Sequence, residues 1–152
     1  MSVLTVVHHT VSPAMSAMLE QVLTGAGMDG LESVEVRVRP ALTAGAADAL
    51  ESDALLLGSP VNIGYLAGAL KHFLDQVYYP NQHRTPAPAY GYYLHGSSDA
   101  SGATRAMESI ATGMGWRLTR PPVIVTAAPT AAELADCEDL GGIVAAAAAG
   151  MV

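Results

Sequence analysis

Near the middle of the chain, Ala54-Leu55-Leu56-Leu57 is apolar at every position. A β-strand sends successive side chains to opposite faces, so an unbroken apolar run has to be covered from both sides. The run meets Gly58-Ser59-Pro60, expected to end the strand. A helical pattern follows at once: Leu66, Leu70, Phe73, Leu74 and Val77 share one face of a helix expected over about 64–78. A buried strand passing directly into an amphipathic helix is half of a βαβ unit, and that unit requires a parallel sheet.

The same alternation recurs along the chain. Residues 2–7 (SVLTVV) read as a first strand, and Ser12 before Pro13 as a helix start with serine at the cap and proline at the first helical position. Met15, Met18, Leu19, Val22 and Leu23 share a face, and Gly25 and Gly27 end that helix. Val34, Val36 and Val38 alternate with Glu35, Arg37 and Arg39, the period of a half-exposed edge strand. A short alanine-rich helix at about 43–51 precedes the central strand. After it come a loop at 79–88, a fourth strand at 89–95, the loop GSSDASG, and a helix marked by Ala103, Met107, Ile110 and Met114. A fifth strand is expected within 116–125, with Val123-Ile124-Val125 as its buried part, and an alanine-rich helix over about 130–149. Neither a repeat nor a long linker divides the 152 residues, so a single domain over 1–152 is expected. Five alternating strands with the second at an edge predict an α/β three-layer sandwich, its parallel sheet ordered 2-1-3-4-5 with helices on both faces.

Bulk properties narrow the function. A formal charge of −7 with no cluster of Lys or Arg argues against a nucleic-acid or anionic-membrane surface. The lone Cys137 excludes an internal disulfide framework and a CxxC site. No apolar stretch approaches the roughly 20 residues of a membrane span. MSVLTVVHHT has no basic leader region and reads as a strand, so a cytoplasmic setting is expected.

In a sheet of this order ligands bind beyond the carboxyl ends of the strands, where strands 1 and 3 diverge. Three loops meet there: HHTVSPAMS, the segment 58–64, and HGSSDASG. The positions of a phospho-acceptor receiver's acidic pair, aspartate and lysine, at the ends of strands 1, 3 and 5, read His-His-Thr, Gly-Ser-Pro and Thr-Ala-Ala. The chain has no GxxxxGK[ST], no GxGxxG after the first strand and no GxSxG elbow. What remains is hydroxyls, glycines and backbone amides. Thr10, Ser12 and Ser16 surround a helix N-terminus, whose free N–H groups suit a phosphate; equally, Ser12 is a helix cap and Thr10 a loop residue.

The stretch SPVNIGYLAGALKHFLDQ resembles the signature of flavodoxin-like NAD(P)H-dependent FMN reductases and quinone reductases. The resemblance rests on Ser59, Pro60, Asn62, Gly64, Leu70, Lys71 and Asp75. It implies one FMN, with the phosphate on Thr10, Ser12 and the amides of Ala14, Met15 and Ser16. The isoalloxazine ring would lie against Ser59, Pro60, Val61, Asn62, Ile63 and Gly64, with Tyr65 close, and against His95, Gly96, Ser97, Ser98 and Asp99. No protein side chain is then a covalent catalyst. The resemblance further implies NADH or NADPH as reductant, a small-molecule acceptor such as a quinone or flavin, and a homodimer that would help enclose an open crevice. One departure is Pro13-Ala14-Met15, standing where the family carries more hydroxyls and glycines.

Two other function classes stay open: a flavodoxin-type one-electron carrier, and a flavin-free interaction domain on the same fold. His8, His9 and His95 read as a polar rim or flavin contact, since no carboxylate has ligand spacing with them. Asp99 suits either a ligand or a helix cap; Lys71 and Asp75 read as a surface pair, and Trp116 as core.

Overall fold

A computed structural model of the chain describes all 152 residues. In order the elements are β1 (Ser2–His8), α1 (Pro13–Ala26), β2 (Val34–Pro40), α2 (Ala46–Leu50), β3 (Ala54–Asn62), β4 (Tyr65–Leu66), α3 (Gly68–Asn81), β5 (Ala89–His95), α4 (Ser101–Met114), β6 (Arg117–Leu118), β7 (Val123–Val125) and α5 (Ala131–Ala148). The parallel strands run β2-β1-β3-β5, and both β6 and β7 pair with the far side of β5. This is the expected order 2-1-3-4-5, with the fifth strand split in two. Pro121 and Pro122 lie in the split and offer no N–H to β5.

The apolar run at 54–57 is buried on both faces as its pattern requires. Leu55 and Leu57 pack with Tyr92, Phe73, Leu74 and Met107 under α2, α3 and α4. Ala54 and Leu56 pack with Leu4, Val6, Met18 and Val144 under α1 and α5. Trp116 is core: it is 5% exposed and its ring centroid lies 6.0 Å from that of Tyr90.

Several boundaries differ from the pattern. β3 does not stop at Gly58: Gly58, Ser59 and Pro60 pair onward with Tyr93, Leu94 and His95 of β5. Proline is tolerated there for a local reason. The His9 N–H donates to the Gly58 carbonyl, so Gly58 faces β1; Pro60 faces the same side, where β1 has already ended. The chain then turns back through β4, and α3 starts at Gly68 rather than 64. α3 runs on through Pro80 and Asn81, where the sequence suggests loop, and the buried Asn81 side chain donates to the Val77 carbonyl.

α1 and α5 cross with their backbones nearly touching. A Cβ built on Gly25 would stand 1.8 Å from the Glu138 carbonyl oxygen, and one on Gly141 would stand 2.0 Å from that of Val22. Helix propensity alone would favour Gly141→Ala by about 1 kcal/mol. The facing atom is backbone, however, so the helices must part. We expect Gly141→Ala to lower stability by about 1–3 kcal/mol despite its propensity, measured by urea unfolding.

Candidate functional site

Strand register places the three loops side by side. His8 of β1, Gly58 of β3 and Tyr93 of β5 form one cross-strand row, and Pro60 and His95 stand together two rows further on. The loops leaving the carboxyl ends of β1, β3 and β5 therefore share one end of the sheet. Gly58 is glycine because the Tyr93 ring occupies its side-chain space: a Cβ there would stand 2.1 Å from the ring.

The first loop is a helix start with spare donors. Ser12 has extended backbone, and its Oγ accepts from the Met15 N–H at 3.2 Å. The Ser16 N–H is bonded to the Ser12 carbonyl, and Pro13 has none to offer. The amides of Met15 and Ser16, expected to face an anion, are thus taken up by the helix, and the Met15 side chain is buried in the core. The N–H groups of Thr10, Val11, Ser12 and Ala14 have no protein acceptor. Thr10 Oγ1 lies 2.8 Å from His8 Nδ1. The pKa of His8 is lowered, first by burial and then by His9 nearby.

The second loop is a hairpin rather than an open loop. Asn62 pairs with Tyr65 across a two-residue turn in which Ile63 (φ 51°) and Gly64 (φ 72°) both have left-handed backbone. Positive φ at both positions suits a two-residue hairpin, and Gly64 fits it. Ile63 does not: a β-branched residue there is strained, and its side chain is fully exposed, packing on nothing. The side chain of Ser59 is unavailable to a ligand. Its buried Oγ donates to the Pro60 carbonyl at 2.8 Å and accepts from the Ala67 N–H at 3.0 Å, tying β3 to the start of α3. Pro60 is buried and Val61 half-buried, so Asn62, Ile63, Gly64 and Tyr65 form the exposed tip.

In the third loop, His95 Nε2 lies 2.9 Å from the Ala127 carbonyl, and the Gly96 N–H donates to the Val125 carbonyl. Asp99 caps α4: its carboxylate accepts from the Ser101 N–H and hydroxyl at 2.9 and 2.8 Å. The Ser101 N–H, then its hydroxyl, hold the Asp99 carboxyl below its usual range. Ser97 and Ser98 are exposed, with side chains unbonded. Two glycines bring the loops together. A Cβ on Gly96 would meet Val61 at 2.9 Å, and one on Gly102 would meet the Gly64 carbonyl oxygen at 2.3 Å. The sequence reading passed over Val11, whose free N–H and 61% exposed side chain sit at the rim, and Gly102. A glycine one residue inside a helix start was the available signal for Gly102.

A depression of 370 Å³ beside the hairpin is bounded by Tyr65, Gly102, Arg105 and Ile110. A more enclosed cavity of 290 Å³, with Asp53, Arg84 and Arg117 on its walls, lies at the opposite end of the sheet. Its arginines are occupied with backbone carbonyls, Arg84 with those of Ala49 and Ser52 and Arg117 with that of Ala87.

No family model matches the sequence, and no curated protein sequence matches it. In three dimensions the likeness is extensive. A flavodoxin from the domain Archaea superposes with a TM-score of 0.79 over 97% of this chain and 99% of its own, at 21% identity. The fold is that of the flavodoxins. A flavodoxin, WrbA-like protein from Agrobacterium tumefaciens matches this flavodoxin-like chain over 100% of both, with a TM-score of 0.75 and 18% identity. The rubredoxin oxygen oxidoreductase of Desulfovibrio gigas covers 98% of it with 36% of its own length, at a TM-score of 0.79 and 18% identity. At such identities the likeness is one of fold.

The hairpin offers a paired test. Asparagine tolerates left-handed backbone and loses no packing at an exposed tip, so Ile63→Asn is expected to raise stability by about 1 kcal/mol. Gly102→Ala pushes a methyl into the Gly64 carbonyl and should lower stability by about 1–3 kcal/mol. Thermal unfolding of both variants checks the two signs.

Proposed function

We propose that the chain binds one FMN at the carboxyl end of the sheet and acts as an NAD(P)H-dependent oxidoreductase, passing electrons through the flavin to a small acceptor such as a quinone or free flavin. The observation that carries this reading is the donor set at the start of α1. Four N–H groups without protein acceptors, of Thr10, Val11, Ser12 and Ala14, stand at the positive end of a 14-residue helix beside two hydroxyls. That set fits a phosphate without a lysine or arginine.

In this reading Thr10, Val11, Ser12 and Ala14 hold the phosphate. The hairpin tip from Asn62 to Tyr65 and the loop from Gly96 to Asp99 hold the ring, Ser59 and Asp99 acting as supports. FMN when bound supplies the hydride and electron chemistry. The protein binds and orients it and sets the polarity around the ring. The strain at Ile63 supports a binding role, because strained backbone concentrates where a ligand is held. The fully exposed Ile63 and the 43% exposed Tyr65 provide the apolar contact that a flat ring takes up. A homodimer would cover this open rim.

A second reading, a one-electron carrier, is favoured by the full-length likeness to flavodoxins such as that of Streptococcus pneumoniae (TM-score 0.80, 16% identity, 99% of that chain). The absorption spectrum of the protein after addition of FMN and desalting tests the shared premise. Retained, red-shifted flavin bands are expected, and bleaching by NADH or NADPH with turnover on a quinone separates the reductase from the carrier. If FMN washes off and titration to tens of micromolar shows no binding, weaker than about −6 kcal/mol, both readings fall and a flavin-free interaction domain takes their place.

A further inference from the structure

His8 ends β1 with its ring on the α1 side of the sheet, the face shared by Leu4 and Val6. On that face its strand neighbours are Pro40 of β2 and Gly58 of β3, neither of them titratable. Beyond Gly58 lies the Tyr93 phenol, which burial pushes well up and keeps neutral. Cys137 of α5 is likewise neutral, its thiol pushed up to about 11 by burial. The first turn of α1, Pro13 to Ser16, carries no charge. Arg39, on β2, pairs with Asp48 on the opposite face, opposite Val7. His9 is the one other ionisable neighbour. An anion at the start of α1 would therefore meet only His8 and His9 as side chains able to become positive, and of the two it is His8 that touches the loop through Thr10.

We infer that His8 is a binding residue for the phosphate end of the ligand and couples anion binding to uptake of a proton. The inference rests on the FMN reading above. With the neutral ring protonated at Nε2, the Thr10 hydroxyl donates its only hydrogen to Nδ1. A proton taken up at Nδ1 reverses that bond. Nδ1–H then donates to Thr10 Oγ1, the Thr10 hydrogen is released toward the oxyanion, and a positive charge appears beside the free amides. In the free protein, burial and His9 disfavour the charged ring. A bound phosphate favours it, so the His8 pKa rises on binding. By linkage, affinity then increases as pH falls through the window between the bound and free values. Riboflavin, which lacks the phosphate, gains nothing, so discrimination between the two flavins widens on acidification.

The test is a fluorescence-quenching titration of wild type and His8→Asn with FMN and with riboflavin, from about pH 8 to about pH 5.5. The titration of FMN's own phosphate is common to both proteins and cancels in the ratio of their affinities. That ratio should grow by about tenfold for FMN toward low pH, the equivalent of a one-unit rise in the His8 pKa. For riboflavin it should stay flat. A flat FMN ratio, or an equal change with riboflavin, overturns the inference. Should His8→Asn fail to fold, proton NMR of the wild-type ring with and without FMN decides: a His8 pKa unchanged by FMN overturns it too. FMN binding with flat ratios removes this coupling alone, whereas absence of FMN binding at every pH removes the flavin reading as well.

Discussion

Complete burial of β3 is the constraint from which the rest of the arrangement follows. Leu55 and Leu57 demand cover on one face and Ala54 and Leu56 on the other, and 0% of each is exposed. A strand sealed on both faces has to be central, with β1 and β5 as its neighbours and helices above and below. Right-handed crossovers then send α1 to one face and α3 and α4 to the other, and α5, which follows the last strand, packs beside α1. The chain leaves β1 toward one side of β3 and leaves β3 toward the other, so their carboxyl ends diverge and a crevice opens between the loops. Its existence is a consequence of packing, before any residue in it is considered.

The α1–α5 crossing fixes where one wall of that crevice stands. Gly25 and Gly141 each face a carbonyl of the other helix at a distance where no side chain fits. Backbone contact of this kind leaves little freedom to slide, so the N-terminus of α1, with its unpaired amides, is held relative to the sheet. The alanine-rich composition of α5 follows from the same closeness. Small residues let the helix sit low over Leu56 and Tyr93, whereas larger ones would lift it and draw α1 away from the end of β1.

Fold and site were legible in the sequence to different degrees, for a physical reason. Periodicity records which side chains are buried, and burial determines layers and strand order; hence Val34, Val36 and Val38 marked an edge strand and Ala54 to Leu57 a central one. Gly58-Ser59-Pro60 misled because glycine and proline usually end strands. Here the glycine admits the Tyr93 ring and the proline faces a side that β1 has vacated. Neither circumstance is local, so no reading of neighbouring residues could show it. The split of the fifth strand, by contrast, has a local signal in Pro121-Pro122, which the expectation of one strand within 116–125 overlooked.

Hydroxyls and carboxylates beside a helix start have two competing uses, since the free N–H groups there accept help from a side chain or offer themselves to a ligand. Composition cannot distinguish the two. Ser59 and Asp99 lie in the loops where ligand contacts were expected, yet both satisfy a neighbouring helix, through Ala67 and Ser101. Ser12 does part of each: its oxygen accepts from Met15, and its hydrogen remains to be given away. At the start of α1 the cap and the first helical bond take up the amides of Met15 and Ser16, Pro13 has none, and those of Thr10, Val11, Ser12 and Ala14 are left. The binding capacity of this end of the sheet thus resides mainly in backbone. Substitutions at Ala14 or Val11 that keep the helix start would preserve it, and the side chains with most influence there are those that orient the loop, His8 and Thr10 foremost.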